Sequence, residues 1–413
     1  MPVAHGFCRQ CIGRRRARLA QCIASPVPAT SSRGACVTEA VDILVIGGGI
    51  AGLSCAARLA GHASVVVLER EDALGYHSSG RSATWLHLGI GTPLVRALTM
   101  ASAPAFAEPP ADPEHPPLSS AHPALFIARE SELDQLATLE RGMRSVSQNV
   151  RHLEGSELTD RVPVLRVGGE HFVQGVCDEG ARRIDSHALL QSHTRAIAAQ
   201  GGKIVTGAEV LAIRRAGERW VVDTPSASWS ARTIVNAAGA WADRVAEAAG
   251  VRPLGLQPMR RTIIGFDAPE GQAVDNWPFL KTVIDDGFYM LPDAGKLLAS
   301  PMDVTPTDPA DAQPEEIDVA TAAWRVEEAT TIAVRRIAAR WAGLRSFFPD
   351  GNPAVGYDAA AEGFFWLAGQ GGAGLQTSPA LSAAAAALVL RQPWPEPLAE
   401  MGIDAATLSP ARL

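Results

Sequence analysis

Residues 40–69 read AVDILVIGGGIAGLSCAARLAGHASVVVLE, and the reading of this stretch decides the fold. Its apolar run Ile43-Leu44-Val45-Ile46, rich in β-branched residues and stopped by glycine, predicts a buried strand of a parallel sheet. Gly47, Gly49 and Gly52 then fall at the G-x-G-x-x-G spacing. The first permits a tight turn off the strand, the second lets a pyrophosphate approach backbone N–H groups, and the third lets the next helix sit close to the strand. That helix is expected from Ile50 to about Leu59, with Ile50 and Ala51 in the first turn, at its positive end. A second strand, Val65-Val66-Val67-Leu68, ends in Glu69, followed by Arg70. A carboxylate at Glu69 accepts from both ribose hydroxyls and favours an unphosphorylated adenosine ribose, so FAD or NAD over NADP.

Composition narrows the rest. A chain of 413 residues with 47% hydrophobic content is long enough for two domains with ample core. The formal charge of −7 argues against nucleic acid or an anionic membrane surface as partner. The six cysteines, at 8, 11, 22, 36, 55 and 177, crowd the N-terminal part without framework spacing, which fits a reducing, cytoplasmic compartment, with peripheral membrane association as the alternative. Residues 1–38 carry six arginines and no acid, and end in a Ser/Thr/Pro-rich run. They are expected to be a disordered tail or the product of a mis-assigned start, with an organellar targeting segment as the other reading. Cys8 and Cys11 have no second CxxC, so no zinc site is expected. No apolar run of membrane-spanning length follows.

Further along lie Gly75-Tyr76-His77-Ser78-Ser79-Gly80-Arg81-Ser82, Asn236-Ala237-Ala238-Gly239-Ala240-Trp241, Trp341-Ala342-Gly343-Leu344-Arg345-Ser346-Phe347, and Gly369-Gln370-Gly371-Gly372-Ala373-Gly374-Leu375-Gln376-Thr377-Ser378 before an Ala-rich helix reaching about Leu390. With the glycine motif, these blocks resemble the FAD-dependent D-amino acid oxidase superfamily over essentially all of Val41–Leu413, and within it the bacterial D-arginine dehydrogenases and their relatives. The resemblance implies an α/β fold: a Rossmann-like FAD-binding domain with a second α+β substrate domain built on an antiparallel sheet. The expected division gives 39–84, 157–250 and 341–413 to the FAD domain, and 85–156 and 251–340 to the substrate domain. The Pro-rich stretch between Ala101 and Pro123 is expected to be an irregular surface excursion.

The same resemblance implies noncovalent FAD, held by Gly47, Gly49, Ile50, Ala51, Gly52, Glu69, Arg70, Gly80, Arg81, Ser82, Val210, Ala238, Gly239, Trp241, Gly343, Gly372, Gly374, Leu375, Gln376 and Thr377. The closing glycine loop would aim a helix N-terminus at the flavin ring, favouring the negative charge that reduction develops there. Arg345 matches the carboxylate-binding arginine of the family. An arginine among so many apolar neighbours needs an anion to be buried without heavy cost, and a bidentate carboxylate suits it. Tyr289, one of three tyrosines, matches the hydroxyl that shares that carboxylate, and Arg261 matches a pocket arginine. His87, Gln376 and Gly372 complete the expected catalytic surroundings.

The implied reaction is oxidative deamination of a D-amino acid, with hydride passing from the α-carbon to flavin N5 and water hydrolysing the imino acid to a 2-oxo acid and ammonia. The partners are then a small amino acid and an electron acceptor that is oxygen, a quinone or another protein. A glycine, sarcosine or other secondary-amine oxidase is the alternative enzyme, and a flavin-binding protein without turnover the alternative of another class. Where the D-arginine dehydrogenases carry a His, a Thr and a lid Tyr, this chain has Trp85, His87 and Ile90. Ala124 stands where they hold a cationic side chain with Glu, and Lys281 where they have a small apolar residue, so arginine is not the expected substrate.

Overall fold

The computed structural model describes residues 38–109 and 114–413. Residues 1–37 of the N-terminal extension, with its tail, start-site and targeting readings and its Cys8/Cys11 pair, lie outside the described residues, and Thr38 already belongs to the first strand. The opening strand Thr38–Ile46 takes a central place in a mostly parallel sheet. It pairs in parallel with Val65–Leu68 on one side and Ser228–Asn236 on the other, and Lys203–Val205 and Phe364–Ala368 extend the parallel run. All four residues of Val65–Leu68 are buried, as expected of a strand covered on both faces. The helix Ile50–Leu59 crosses between the first two strands and packs against Ser186–Ala199 and the closing helix Gly374–Leu390. The closing helix is apolar nearly all round because it is buried nearly all round. Pro379 within it has no N–H for the Leu375 carbonyl, and the Ser378 hydroxyl donates to that oxygen at 2.9 Å instead.

A second, larger sheet is antiparallel apart from one parallel contact between Ala124–Arg129 and Phe279–Thr282. Its strands alternate with period two. Leu125, Ile127, Ile264, Phe266, Leu280, Phe288 and Met290 enter one core with the helix Glu316–Ala329, whereas Ala124, Phe126, Ile263, Phe279, Tyr289 and Leu291 enter another on the opposite face.

Hydrogen bonding places several segments differently from the sequence reading. Phe172–Asp178 pairs with Ala124–Arg129 and Val150–Glu154 in the antiparallel sheet, so the boundary expected at 157 falls inside that sheet's chain. Ile337–Phe347 pairs with Gln257–Asp267 along almost its whole length, so Trp341–Phe347 also belongs to the antiparallel sheet and not to the parallel one. Both are hydrophobic stretches whose partners lie far away in sequence. The excursion expected from Ala101 begins as helix, because Pro93–Ala107 is one α-helix that tolerates Pro104. No helix among the described residues is long and apolar enough to cross a membrane.

Candidate functional site

A cavity of about 310 Å³ opens at the carboxyl ends of the parallel strands. Glycine backbone shapes it. Gly47 sits at φ +114°, and a Cβ there would lie 2.4 Å from the Ala237 carbonyl oxygen. Gly52 comes closer still, since its Cβ would meet the Gly47 oxygen at 1.9 Å. The turn and the helix start therefore touch backbone to backbone, and Gly47, Gly49, Ile50 and Ala51 line the cavity. First-turn N–H groups have no acceptor within their own helix, so this wall offers donors. The Ile50 N–H alone is taken, by the Ser79 hydroxyl at 2.9 Å.

Glu69 lies on the same cavity wall. Its carboxylate accepts from the Gly48 N–H at 2.7 Å and the Glu71 N–H at 2.9 Å, which holds it against the glycine turn. Arg70 stacks over Trp241, 4.5 Å from the ring centroid, and bonds Glu71. Hydrogen bonds from Arg70 and then His77 keep the Glu71 carboxyl below its ordinary range. Val210, Ala238, Gly239 and Trp241 also face the cavity. Its far wall is Leu344, Ser346 and Gly371, and beyond them lies a smaller cavity of about 60 Å³ that shares Ile50, Ser79, Leu344 and Gly374.

The smaller cavity is lined by Arg81, Ser82, Arg261, Gly343, Arg345, Gly372 and Leu375. On adjacent strands Met259 stands opposite Arg345 and Gly343 opposite Arg261, so the two arginines are diagonal neighbours on one face, with a glycine leaving room between them. Alternation separates Arg261 from Arg260, which turns to the other face and pairs with Glu315 and Asp318. Arg261 donates from Nε to the Asp303 carbonyl at 2.6 Å. Burial, and next the charge of Arg345, bring its guanidinium down to about 9. Arg345 has no carboxylate partner among the described residues. Its Nη2 lies 3.5 Å from the Tyr289 hydroxyl.

Tyr289 closes a column of rings, stacked on Phe279 at 5.4 Å, which in turn stacks on His87 at 4.9 Å. His87 is buried, and its Nδ1 accepts from the Gly89 N–H at 3.1 Å. Burial first, then the charges of Lys281 and Arg345, hold it down to about 3, so it is a neutral ring at ordinary pH.

Two expected residues do other work. Gln376 is 2% exposed and lines neither cavity; its amide accepts from the His87 N–H at 3.3 Å and donates to the His87 carbonyl at 3.2 Å and Thr99 Oγ1 at 2.7 Å. Thr377 turns its hydroxyl back to the Ala373 carbonyl. Both lie one turn into the closing helix on its packed side, which spacing from the glycine loop does not reveal. Gly80 is a turn residue whose Cβ would strike the Gly75 carbonyl at 2.6 Å. Arg81 spans from the Ala312 and Ala342 carbonyls to Asp311. Ser78 and Ser79, in the run HSSGRS, carry roles that the glycine spacing around them does not reveal. Ser78 donates to the Leu344 carbonyl at 2.6 Å, so this loop ties the phosphate-side helix to the strand bearing Arg345.

The larger cavity fits a dinucleotide: glycine backbone where a pyrophosphate must approach, an acid at the second strand's end, and a helix N-terminus at Gly374 where a flavin ring would reach the smaller cavity. Glu69→Ala is therefore expected to weaken FAD binding roughly 10- to 150-fold, the equivalent of about 1.5–3 kcal/mol for hydrogen bonds to a charged group. The flavin-to-protein absorbance ratio after dialysis measures it, and full retention contradicts the assignment.

The sequence profile of the family described as DAO, FAD dependent oxidoreductase, matches residues 42–388. Glycine oxidase of Geobacillus kaustophilus is 25% identical over 367 residues, covering 86% of this chain and 94% of that one. Glycine oxidase of Pseudomonas putida is 27% identical over 370 residues, covering 82% and 92%. In structure, the Geobacillus glycine oxidase superposes with a TM-score of 0.77 at 24% identity over 91% of this chain and all of that one. The L-α-glycerophosphate oxidase of Mycoplasma pneumoniae, solved with FAD bound, superposes with a TM-score of 0.74 at 19% identity, covering 86% and 95%.

Proposed function

The chain belongs to the DAO family of FAD-dependent oxidoreductases, and on that footing we propose that it oxidises the Cα–N bond of an amino acid, with D-amino acids as substrates. The observation that carries this reading is Arg345: a guanidinium without a carboxylate partner among the described residues, facing a small cavity that adjoins the dinucleotide cavity, with the Tyr289 hydroxyl beside it. FAD, when bound, supplies a two-electron acceptor. The protein then has to supply position. Arg345 and Tyr289 hold the substrate carboxylate, and Arg261 guards the same end. Neutral His87 and Phe279 stack in line behind Tyr289 and hold its ring in place. The substrate gives up a hydride from Cα and a proton from nitrogen, and water hydrolyses the imine to a 2-oxo acid and ammonia. A second reading, oxidation of glycine or an N-substituted glycine, is favoured by the two glycine oxidases among the relatives. The same carboxylate anchor serves it.

The test is anaerobic bleaching of the yellow holoenzyme by D-amino acids, L-amino acids, glycine and sarcosine. Bleaching by D-amino acids supports the first reading, and bleaching confined to glycine and sarcosine supports the second. If no amino acid bleaches the flavin, both fall.

A further inference from the structure

We propose that the substrate carries a second anionic group, a side-chain carboxylate as in an acidic amino acid, and that Lys281 is the residue that selects it. The inference rests on the amino-acid reading above and sharpens it.

Lys281 stands directly opposite Tyr289 on the neighbouring antiparallel strand and two residues beyond Phe279, so alternation puts it on the face that carries Phe279, Tyr289 and Ile263. Its other neighbour in register is Phe126, on the same face. A one-residue shift would have sent it into the opposite core with Leu280. It thus flanks the tyrosine whose hydroxyl reaches Arg345, on the sheet face that carries the ring column.

Three cations, Arg261, Lys281 and Arg345, converge around Tyr289. The ammonium of Lys281 donates to the neutral Thr282 carbonyl at 3.0 Å and has no salt bridge among the described residues. Asp303 answers Arg261, its backbone carbonyl accepting from Nε and its carboxylate lying 3.9 Å from the same nitrogen while both carboxylate oxygens bond Thr262. Asp285 is an exposed loop residue whose charge reaches Lys281 and Arg261 only at range. Burial brings Lys281 down to about 8, with Asp285 opposing the shift and Arg261 adding to it more weakly, which leaves it protonated at neutral pH. With Asp303 against Arg261 and one α-carboxylate on Arg345, Lys281 is left without an anion among the described residues. A half-buried cluster of this sign favours a second anion and opposes a cationic side chain. Ala124, fully buried beside Phe279, offers a cation nothing.

The experiment compares D-glutamate with D-glutamine and D-aspartate with D-asparagine in purified holoenzyme, under nitrogen with an artificial electron acceptor. Wild-type protein should prefer each acid over its amide by about tenfold or more in kcat/KM. Lys281→Met should bring that ratio to about one, and Lys281→Arg should retain most of it. Unreactive ligands give an independent readout: glutarate should perturb the flavin spectrum at lower concentration than butyrate does, and Lys281→Met should remove the difference. If neutral amino acids are turned over as well as the acids, or Lys281→Met keeps the ratio, the inference is overturned while the amino-acid reading stands. If no amino acid bleaches the flavin, the reading itself fails and takes the inference with it.

Discussion

Arg345→Met should lower kcat/KM by roughly 30- to 5,000-fold, the equivalent of about 2–5 kcal/mol, while the protein keeps its FAD. Arg345 reaches the smaller cavity from the strand Ile337–Phe347, its guanidinium is half-buried, and its polar neighbour is the Tyr289 hydroxyl at 3.5 Å. A charge held there without an acid has to be matched by the substrate's carboxylate, and methionine replaces the guanidinium with a side chain of similar reach that accepts no such contact. FAD retention should survive because the glycine turn, Glu69 and Trp241 all belong to the larger cavity. The change should fall mainly on KM if the contact is equal in the ground and transition states, and on kcat if it tightens as the reaction proceeds. Tyr289→Phe, which removes one hydroxyl, should have a smaller effect. Near-wild-type kinetics in Arg345→Met would place the carboxylate elsewhere.

The second large effect is expected in Gly52→Val, which should lose FAD and most of its soluble yield. A Cβ at Gly52 would stand 1.9 Å from the Gly47 carbonyl oxygen and 3.2 Å from a Val45 methyl. Gly47 cannot yield, because its own backbone is pressed against Ala237, just past the end of the neighbouring strand. Relief requires the helix Ile50–Leu59 to lift from the sheet, which breaks its packing on the helices Ser186–Ala199 and Gly374–Leu390. Overpacking typically costs about 1–3 kcal/mol, and a backbone collision of this kind belongs at or beyond the upper end. Gly250→Ala is the control: φ is +69° there but nothing stands within 4 Å of the added carbon, so the cost is about 1–2 kcal/mol of backbone strain and FAD should stay. Flavin content and thermal melting of the two variants separate the explanations. A Gly52→Val protein that purifies yellow would show that the close approach is not required.

What could be read along the chain is whatever neighbouring residues decide among themselves. The run Ile43–Ile46, the spaced glycines and the acid at Glu69 form a strand, turn, helix and strand whose conformations depend on φ freedom and apolar burial within thirty residues. The arginine among apolar neighbours at 345 was legible for a similar reason, since a lone cation in such a run needs an anion from somewhere. What neighbours cannot decide is register between distant strands. Lys281 lies on the site face because it stands opposite Tyr289, and Arg261 meets Arg345 because their strands pair with Gly343 between them. Trp341–Phe347 and Phe172–Asp178 joined the antiparallel sheet for the same cause: any apolar strand can complete either sheet, and only the hydrogen bonds made with remote partners choose. Gln376 makes the point at the scale of a side chain. The family resemblance implies a flavin contact for it, yet helix rotation turns its amide into the core, where both of its ends have to find partners and find the His87 backbone and Thr99.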